Sequence, residues 1–292
     1  MTERLDDDIL VPLNDKDLEE LASLYTLHVE TFPLAHSFLQ ICLKAKKVGL
    51  NDYVTVYSPW NCWREDGTFI ASMPAYGHDI VLHSLDSSGK RLIEAFKQTK
   101  RFPFQKDSAR EYTLFFSVHE YFSLKLVDLL TNVLHHELIY YEAPLWRLGK
   151  EQALAFNDLS LSDVYVKPLN KQDISIIDNA WPHRSPTSIN KHWQWIQLGT
   201  SFGVYLKSND KLVSWVTSSC LGQMSALQTL EQYKRKGYGS LVVKHMAKYL
   251  ATQGFDSCIS IIAGNVESEG LYKKLGFKKT SSLYHFIRVF NK

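Results

Sequence analysis

Three consecutive cations, Lys234, Arg235 and Lys236, run directly into Gly-Tyr-Gly-Ser at 237–240. Set between a strand and a helix, that combination makes an anion site. The first N–H groups of a helix have no intrahelical acceptor, and the peptide dipoles put partial positive charge at that end. Glycines at 237 and 239 let an anion approach the backbone, and the cations add charge-assisted hydrogen bonds. A phosphate or diphosphate is the ligand such a turn suits. Taken alone, the same residues equally describe a solvated basic turn ahead of an ordinary helix. No Lys-Ser or Lys-Thr follows the glycines, so the run is not a Walker A loop, and it does not complete a dinucleotide fingerprint.

A second run begins 28 residues after Gly237: Asn265-Val-Glu-Ser268-Glu-Gly-Leu-Tyr272-Lys-Lys-Leu-Gly-Phe277. As structure it reads as a helix capped by Asn265 and closed at Gly276. The two runs in this order resemble the two signatures of the GCN5-related N-acetyltransferases. These are Gln/Arg-x-x-Gly-x-Gly/Ala, then Asn-x-x-Ala/Ser followed by Leu-Tyr-x-Lys-Leu-Gly-Phe. Lys234 stands where that family has Gln or Arg; lysine keeps the charge and loses the planar fork.

The resemblance implies an α/β (α+β) fold with a mostly antiparallel central sheet, flanked by helices and splayed to admit acyl-coenzyme A. It implies that Lys234, Arg235, Lys236, Gly237, Tyr238, Gly239 and Ser240 hold the pyrophosphate of acetyl-coenzyme A or another acyl-coenzyme A. Gln228, Thr229 and Leu230 would hydrogen-bond the pantetheine amides through their backbone and polarise the thioester carbonyl, the kind of preorganised donors that stabilise an oxyanion. Asn265 and Ser268 would contact the pantetheine arm or order the site. Tyr272 would protonate the departing thiolate, which leaves more readily beside a proton donor.

The acceptor side is less defined. An amine acceptor is protonated at neutral pH and must lose a proton before attack. Ser214-Trp215-Val216, with its spacing to the glycine loop, resembles the glycine N-acyltransferase-like proteins with an FR47-like C-terminal domain. That resemblance extends loosely to the run ending Tyr57-Ser58-Pro59. It implies transfer to a small amine or amino acid such as glycine, by direct attack in a ternary complex. The strand carboxylate proposed as base in those enzymes corresponds to Gln223, which cannot act as one. A water chain, His183 or His245 are the substitutes; His245 reads as a core residue of its helix. Trp181-Pro182-His183-Arg184 with Trp193 and Trp195 reads as core or as an acceptor wall, where Arg184 would pair with an acceptor carboxylate. Two other readings stay open: acyl-coenzyme A binding without catalysis, favoured by Gln223, and acetylation of proteins.

The elements that must position these residues follow from periodicity. In the C-terminal part, strands are expected over 164–166, 203–206, 212–218, 224–230, 258–262 and 284–289, and helices over 171–180, 189–198, 239–252 and 267–275. Asn209-Asp210 suits a hairpin turn. The N-terminal part reads as helices over 17–24, 35–48, 88–99 and 123–134 and strands over 53–57, 80–85, 112–118 and 138–141. Periodicity weakens over 147–162, which places the boundary between an N-terminal domain 1–150 and a C-terminal domain 151–292. The resemblance implies that the N-terminal domain is a degenerate copy of the same fold; its own sequence shows no phosphate loop, so a single cofactor site is expected.

Composition excludes several classes. With 45% hydrophobic and 22% charged residues the chain is globular, and a net charge of +2 argues against nucleic-acid or membrane binding through charge. No 18-residue apolar stretch suggests a membrane span. The acidic start has no apolar core of a signal peptide, so an intracellular protein, cytoplasmic or mitochondrial, is expected. Four scattered cysteines form no zinc or disulfide pattern and read as buried thiols. His135-His136-Glu137 reads as a helix end rather than a metal site, and Trp60, Cys62 and Trp63 form an aromatic cluster without assigned chemistry.

Overall fold

Asn14 starts the first helix as its side chain predicts: Oδ1 accepts the amide of Asp17 at 2.9 Å. The computed structural model describes residues 8–74, 79–102, 111–157, 160–182 and 184–290. The chain forms two units, Met1–Ala143 with Ser282–Lys292, and Pro144–Ser281. The expected boundary is 150/151; the division falls within the strand Leu138–Leu148, and the last strand returns from the second unit to the first after Ser281.

The first unit runs β1 (Leu10–Pro12), α1 (Asp15–Thr26), α2 (Pro33–Lys47), β2 (Thr55–Pro59), α3 (Trp63–Asp66), β3 (Phe69–Met73), β4 (Asp79–His83), α4 (Lys90–Gln98), β5 (Tyr112–His119) and α5 (Glu120–Asp128). It also takes the start of β6 (Leu138–Leu148) and the end of β12 (Lys278–Phe290). Its strands are ordered β1-β2-β3-β4-β5-β12-β6. β4 and β5 pair in parallel, while the pairs β1–β2, β2–β3, β3–β4 and β5–β12 are antiparallel. β3 was not among the expected strands. All five of its residues are buried, so it has no polar face and no alternation to detect.

A group of buried rings closes this unit near the ends of β4 and β5. Tyr25 donates its hydroxyl proton to the carbonyl of Gly67 (3.0 Å), so its 2.9 Å contact with His83 Nδ1 takes its proton from the imidazole. His83 Nε2 is then a bare acceptor, buried without a hydrogen-bond partner among the described residues. It lies among Phe32, 4.4 Å between ring centres, Phe122 and His119. His119 caps α5 by accepting the amide of Tyr121. Burial, then repulsion from His119 and His28, depresses the His83 pKa; burial takes His119 down to about 4, against the pull of Glu120.

Both rings are neutral in the folded protein, whereas unfolded histidines protonate below about pH 6.5. The unfolded chain therefore binds more protons from about pH 6.5 downward, and stability falls as the pH drops through that window. The urea midpoint is expected to fall between about pH 7 and about pH 5, and His119→Asn, which keeps a cap and removes the ring, to make that fall shallower.

The second unit continues from β6 with α6 (Lys150–Leu154), β7 (Val164–Pro168), a 3-10 turn at Lys171–Asp173, α7 (Ile174–Ala180), α8 (Ser188–Leu198), β8 (Phe202–Leu206), β9 (Leu212–Ser218), β10 (Met224–Thr229), α9 (Tyr238–Thr252), β11 (Ser257–Ser260) and α10 (Val266–Lys274), and ends with the start of β12. β10-β9-β8-β7 form an antiparallel sheet. β11 pairs instead with residues 145–148 of β6. The whole is a mixed α/β fold with mostly antiparallel strands and flanking helices.

α9 buries Leu241, Val242, Val243, Met246 and Ala247 against Val204, Val213, Val216 and Met224 of the sheet strands. At about 1.5–3 kcal/mol for each large apolar side chain, this contact fixes where the helix begins. All four cysteines are free and buried. Among the described residues no helix is long and apolar enough to cross a membrane, and no cluster of His, Cys, Asp and Glu is placed to hold a metal.

Candidate functional site

β10 carries the first feature of the site. Ser225 faces Thr217 and Gln228 faces Trp215, so three steps on β10 span two on β9: a β-bulge. Ala226 absorbs it at φ +48°, unusual for a residue with a Cβ. Thr217 and Ser214 brace the bulged strand by donating their hydroxyls to the carbonyls of Ser225 (3.2 Å) and Gln228 (3.0 Å). β10 is the outer strand of its sheet, and β11, its neighbour in space, belongs to the other ladder. The two strands thus lie side by side without pairing, and the β10 edge facing β11 is unladdered.

Of Gln228, Thr229 and Leu230, expected to serve pantetheine, the structure separates one from the others. Leu230 donates its amide to Val213 O at 3.0 Å, so it is spent on β9. Alternation along an antiparallel strand then directs the Gln228 backbone to β9 as well and turns that of Thr229 to the open edge.

The turn after β10 holds the cations on the surface. Lys234, Arg235, Lys236 and Gly237 are all exposed. Lys234 pairs with Glu231 at 2.7 Å, Lys236 lies 5.5 Å over the ring of Tyr233, and Arg235, at φ +61°, makes no ion pair among the described residues. Gly237 is the N-cap of α9 at φ +86°, and no side chain caps the helix. The leading amides of α9 therefore face outward without an internal acceptor. Gly239 lies against β10: a Cβ there would sit 3.4 Å from Thr229 Oγ1. Tyr238 is buried and donates its hydroxyl to Asp163, with burial pushing its pKa up to about 12. Its phenol anchors the helix, leaving only its backbone amide for a ligand. Ser240 is half-buried on the first turn.

Asn265 is exposed and caps α10, its Oδ1 accepting the amide of Ser268 at 3.1 Å. Gly276 closes that end at φ +90°. Tyr272 points into the core, 1% exposed, edge-on to Phe277 at 5.0 Å. Its hydroxyl has no hydrogen-bond partner in the described structure, and burial raises its pKa, so the proton is held firmly. Gln223, just ahead of β10, accepts the hydroxyl of Ser260 at the end of β11 (2.8 Å).

The acceptor-side expectations change. Arg184 is bound to the buried Asp178 at 2.8 Å, and Asp178 also takes the Ser188 hydroxyl; the guanidinium ties down the α7–α8 connection instead of standing ready for a carboxylate. Trp181 and Trp195 pack on His192, Trp195 buried and Trp193 half-buried. His245 is half-buried on α9 rather than in the core. His183 lies outside the described residues. Trp63 is buried beneath the guanidinium of Arg64, 4.0 Å from its ring centre, which makes that cluster structural. Sequence reading missed Ser260, Asp163 and the Ala226 bulge; nothing in their residue types distinguishes them from ordinary strand and loop positions.

The same strand–helix–strand order occurs in the first unit as β4–α4–β5, with its corner filled. There β4 and β5 are laddered. The Asp86 carboxylate accepts the Ser88 amide at 2.9 Å just ahead of α4. Gly89, at the N-cap of α4, is covered by Phe122, which a Cβ would meet at 2.5 Å. With Phe122 over its glycine cap and a carboxylate just ahead of it, this helix end lacks the open, cation-flanked entrance of α9.

Residues 201–286 match the family model described as FR47-like protein, and residues 9–129 match a domain of unknown function, DUF5645. A Drosophila protein solved by X-ray crystallography superposes with a TM-score of 0.85 at 20% identity, over 97% of this chain and 99% of that one. A tandem GNAT protein from the clavulanic acid biosynthesis pathway superposes with a TM-score of 0.59 at 10% identity, over 96% and 98% of the two chains. The fold is that of the GCN5-related N-acetyltransferases. A member of that group from Sphaerobacter thermophilus gives a TM-score of 0.55 at 9% identity, over 97% and 96%. No curated protein sequence matches significantly. In this fold the second unit carries the exposed, cation-flanked start of α9 beside the open edge of β10, and the first carries a helix start covered by Phe122.

Proposed function

We propose that the second unit binds acyl-coenzyme A and transfers its acyl group to the amine of a small molecule by direct attack in a ternary complex, glycine being the acceptor that the motif resemblance suggests. One observation carries this reading: the uncapped N-terminus of α9, ringed by Arg235 and Lys236, adjoins the unladdered edge of β10. The amides of residues 237–240 suit a diphosphate, and the Thr229 backbone suits an amide-containing arm laid along the strand. Tyr272 supplies the proton for the leaving thiolate.

Calorimetry with acetyl-coenzyme A is expected to give one site per chain, weakened by salt. Replacing Arg235 and Lys236 together by alanine should cost about tenfold in affinity, in line with two exposed charge-assisted contacts. Absence of heat with every coenzyme A species, from folded protein, would overturn the reading. Gln223, an amide at the position expected for a base, favours a second reading, binding without turnover; transfer to any amine would exclude it.

A further inference from the structure

The first half of β6 is a sheet edge. β6 lies between β12 and β11, but the β11 ladder reaches only Leu145–Leu148, and no strand among the described residues is laddered to 138–143 on that side. Just past the ladder, Ile261 donates its amide to the Pro144 carbonyl at 3.2 Å; at the other end, Phe290 of β12 donates to the Glu137 carbonyl at 2.9 Å. Successive residues of an antiparallel strand turn their peptide groups to opposite sides, so even-numbered residues of β6 face the β11 side and odd-numbered ones face β12. The amides and carbonyls of Leu138, Tyr140 and Glu142 therefore point out of the open edge. The side chains around them are in solvent too: Ile139, Tyr140 and Tyr141 are 43%, 44% and 37% exposed, and Glu142 is exposed as well.

Sheet edges are ordinarily blunted by lysine or proline. The stretch 138–143 reads Leu-Ile-Tyr-Tyr-Glu-Ala, with neither, and its β-branched and aromatic residues favour extended backbone. It is also complementary to itself. Let a second copy lie antiparallel to it, with the two-fold axis at Tyr140. Tyr140 then faces Tyr140 of the second copy and Leu138 faces Glu142, so each outward amide meets an outward carbonyl. Ile139 faces Tyr141 between those bonded positions, where opposed side chains come closest. A β-branched residue opposite an aromatic is a favourable cross-strand pair, and symmetry makes it twice. The Tyr140 ring lies 5.8 Å from that of His285 on β12, so Ile139 and Tyr141 share the opposite face of the sheet. Glu142, the one charge in the stretch, meets Leu138, so no like charges are opposed.

We propose that this edge is a self-association surface, through which two copies of the chain pair antiparallel over residues 138–142 and join their sheets edge to edge. The ladder is short beside the roughly 800 Å² per partner of a standard stable interface, so the dimer is a weak one, with a dissociation constant on the order of 10 μM.

Sedimentation velocity of the full chain tests this over concentrations from about tenfold below to about tenfold above that value. The parent should pass from monomer to dimer across the range. Ile139→Lys with Tyr141→Lys sets lysine against lysine in this register and should weaken association at least about tenfold. Ile139→Lys with Tyr141→Glu sets opposite charges face to face and should keep association within about threefold of the parent. Both variants alter only exposed side chains and leave the outward peptide groups in place, and thermal melts confirm folding. A parent that stays monomeric throughout would overturn the proposal, even if the edge then accepts a strand from another protein. So would a lysine–lysine variant that dimerises like the parent, which would put the contact elsewhere. Equal loss in both variants would overturn it as well, because residues 139 and 141 would then not face each other.

Discussion

Replacing Tyr272 with phenylalanine should raise the melting temperature and lower acyl transfer in the same protein. The two effects come from one atom. The Tyr272 hydroxyl is buried without a hydrogen-bond partner beside Phe277. An unsatisfied buried hydroxyl costs about 1–3 kcal/mol, so removing it while keeping the ring is neutral or stabilising. If that hydroxyl protonates the departing thiolate, its loss should reduce kcat by about 100-fold, at the lower end of general-acid contributions, with acetyl-coenzyme A affinity little changed. Differential scanning calorimetry with steady-state kinetics reads both. A variant that loses stability and keeps its rate would assign the tyrosine to packing alone.

The second large effect is expected from Ser240→Glu. Ser240 is the third residue of α9, behind the Gly237 cap. A carboxylate in a first helical turn is favoured by the helix dipole, by about 0.3–1 kcal/mol, so stability should be unchanged or slightly higher. The same charge would lie where the diphosphate is expected. At about 4 Å, like charges near a protein surface repel by roughly 4 kcal/mol at an effective dielectric of about 20, so acetyl-coenzyme A affinity should fall by at least about 100-fold. Retained affinity in a folded Ser240→Glu protein would place the ligand elsewhere.

The parts of the site governed by local pattern were legible in the sequence. Gly237 announces the turn because few other residues suit a φ of +86°. The apolar face of α9 shows at helical spacing, and Asn265 and Gly276 mark the two ends of α10. What escaped detection depends on distant partners. The Gln223–Ser260 bond joins residues 37 apart, and the Tyr238–Asp163 bond residues 75 apart. The bulge at Ala226 is imposed by its register with β9, not by its own side chain. β3, buried throughout, lacks the alternation that reveals a strand. Arg184 looked available for a carboxylate because Asp178, its partner, lies on the preceding helix and gives no sign in the sequence of being buried.

The courses of β6 and β12 carry a consequence for how this polypeptide can be cut. Each strand begins in one unit and finishes in the other. Expressing residues 151–292 alone would strip β11 of its partner at Leu145–Leu148 and strand the tail 282–290 with no ladder to join. A cut at 150 therefore deprives both β11 and β12 of the strands they pair with.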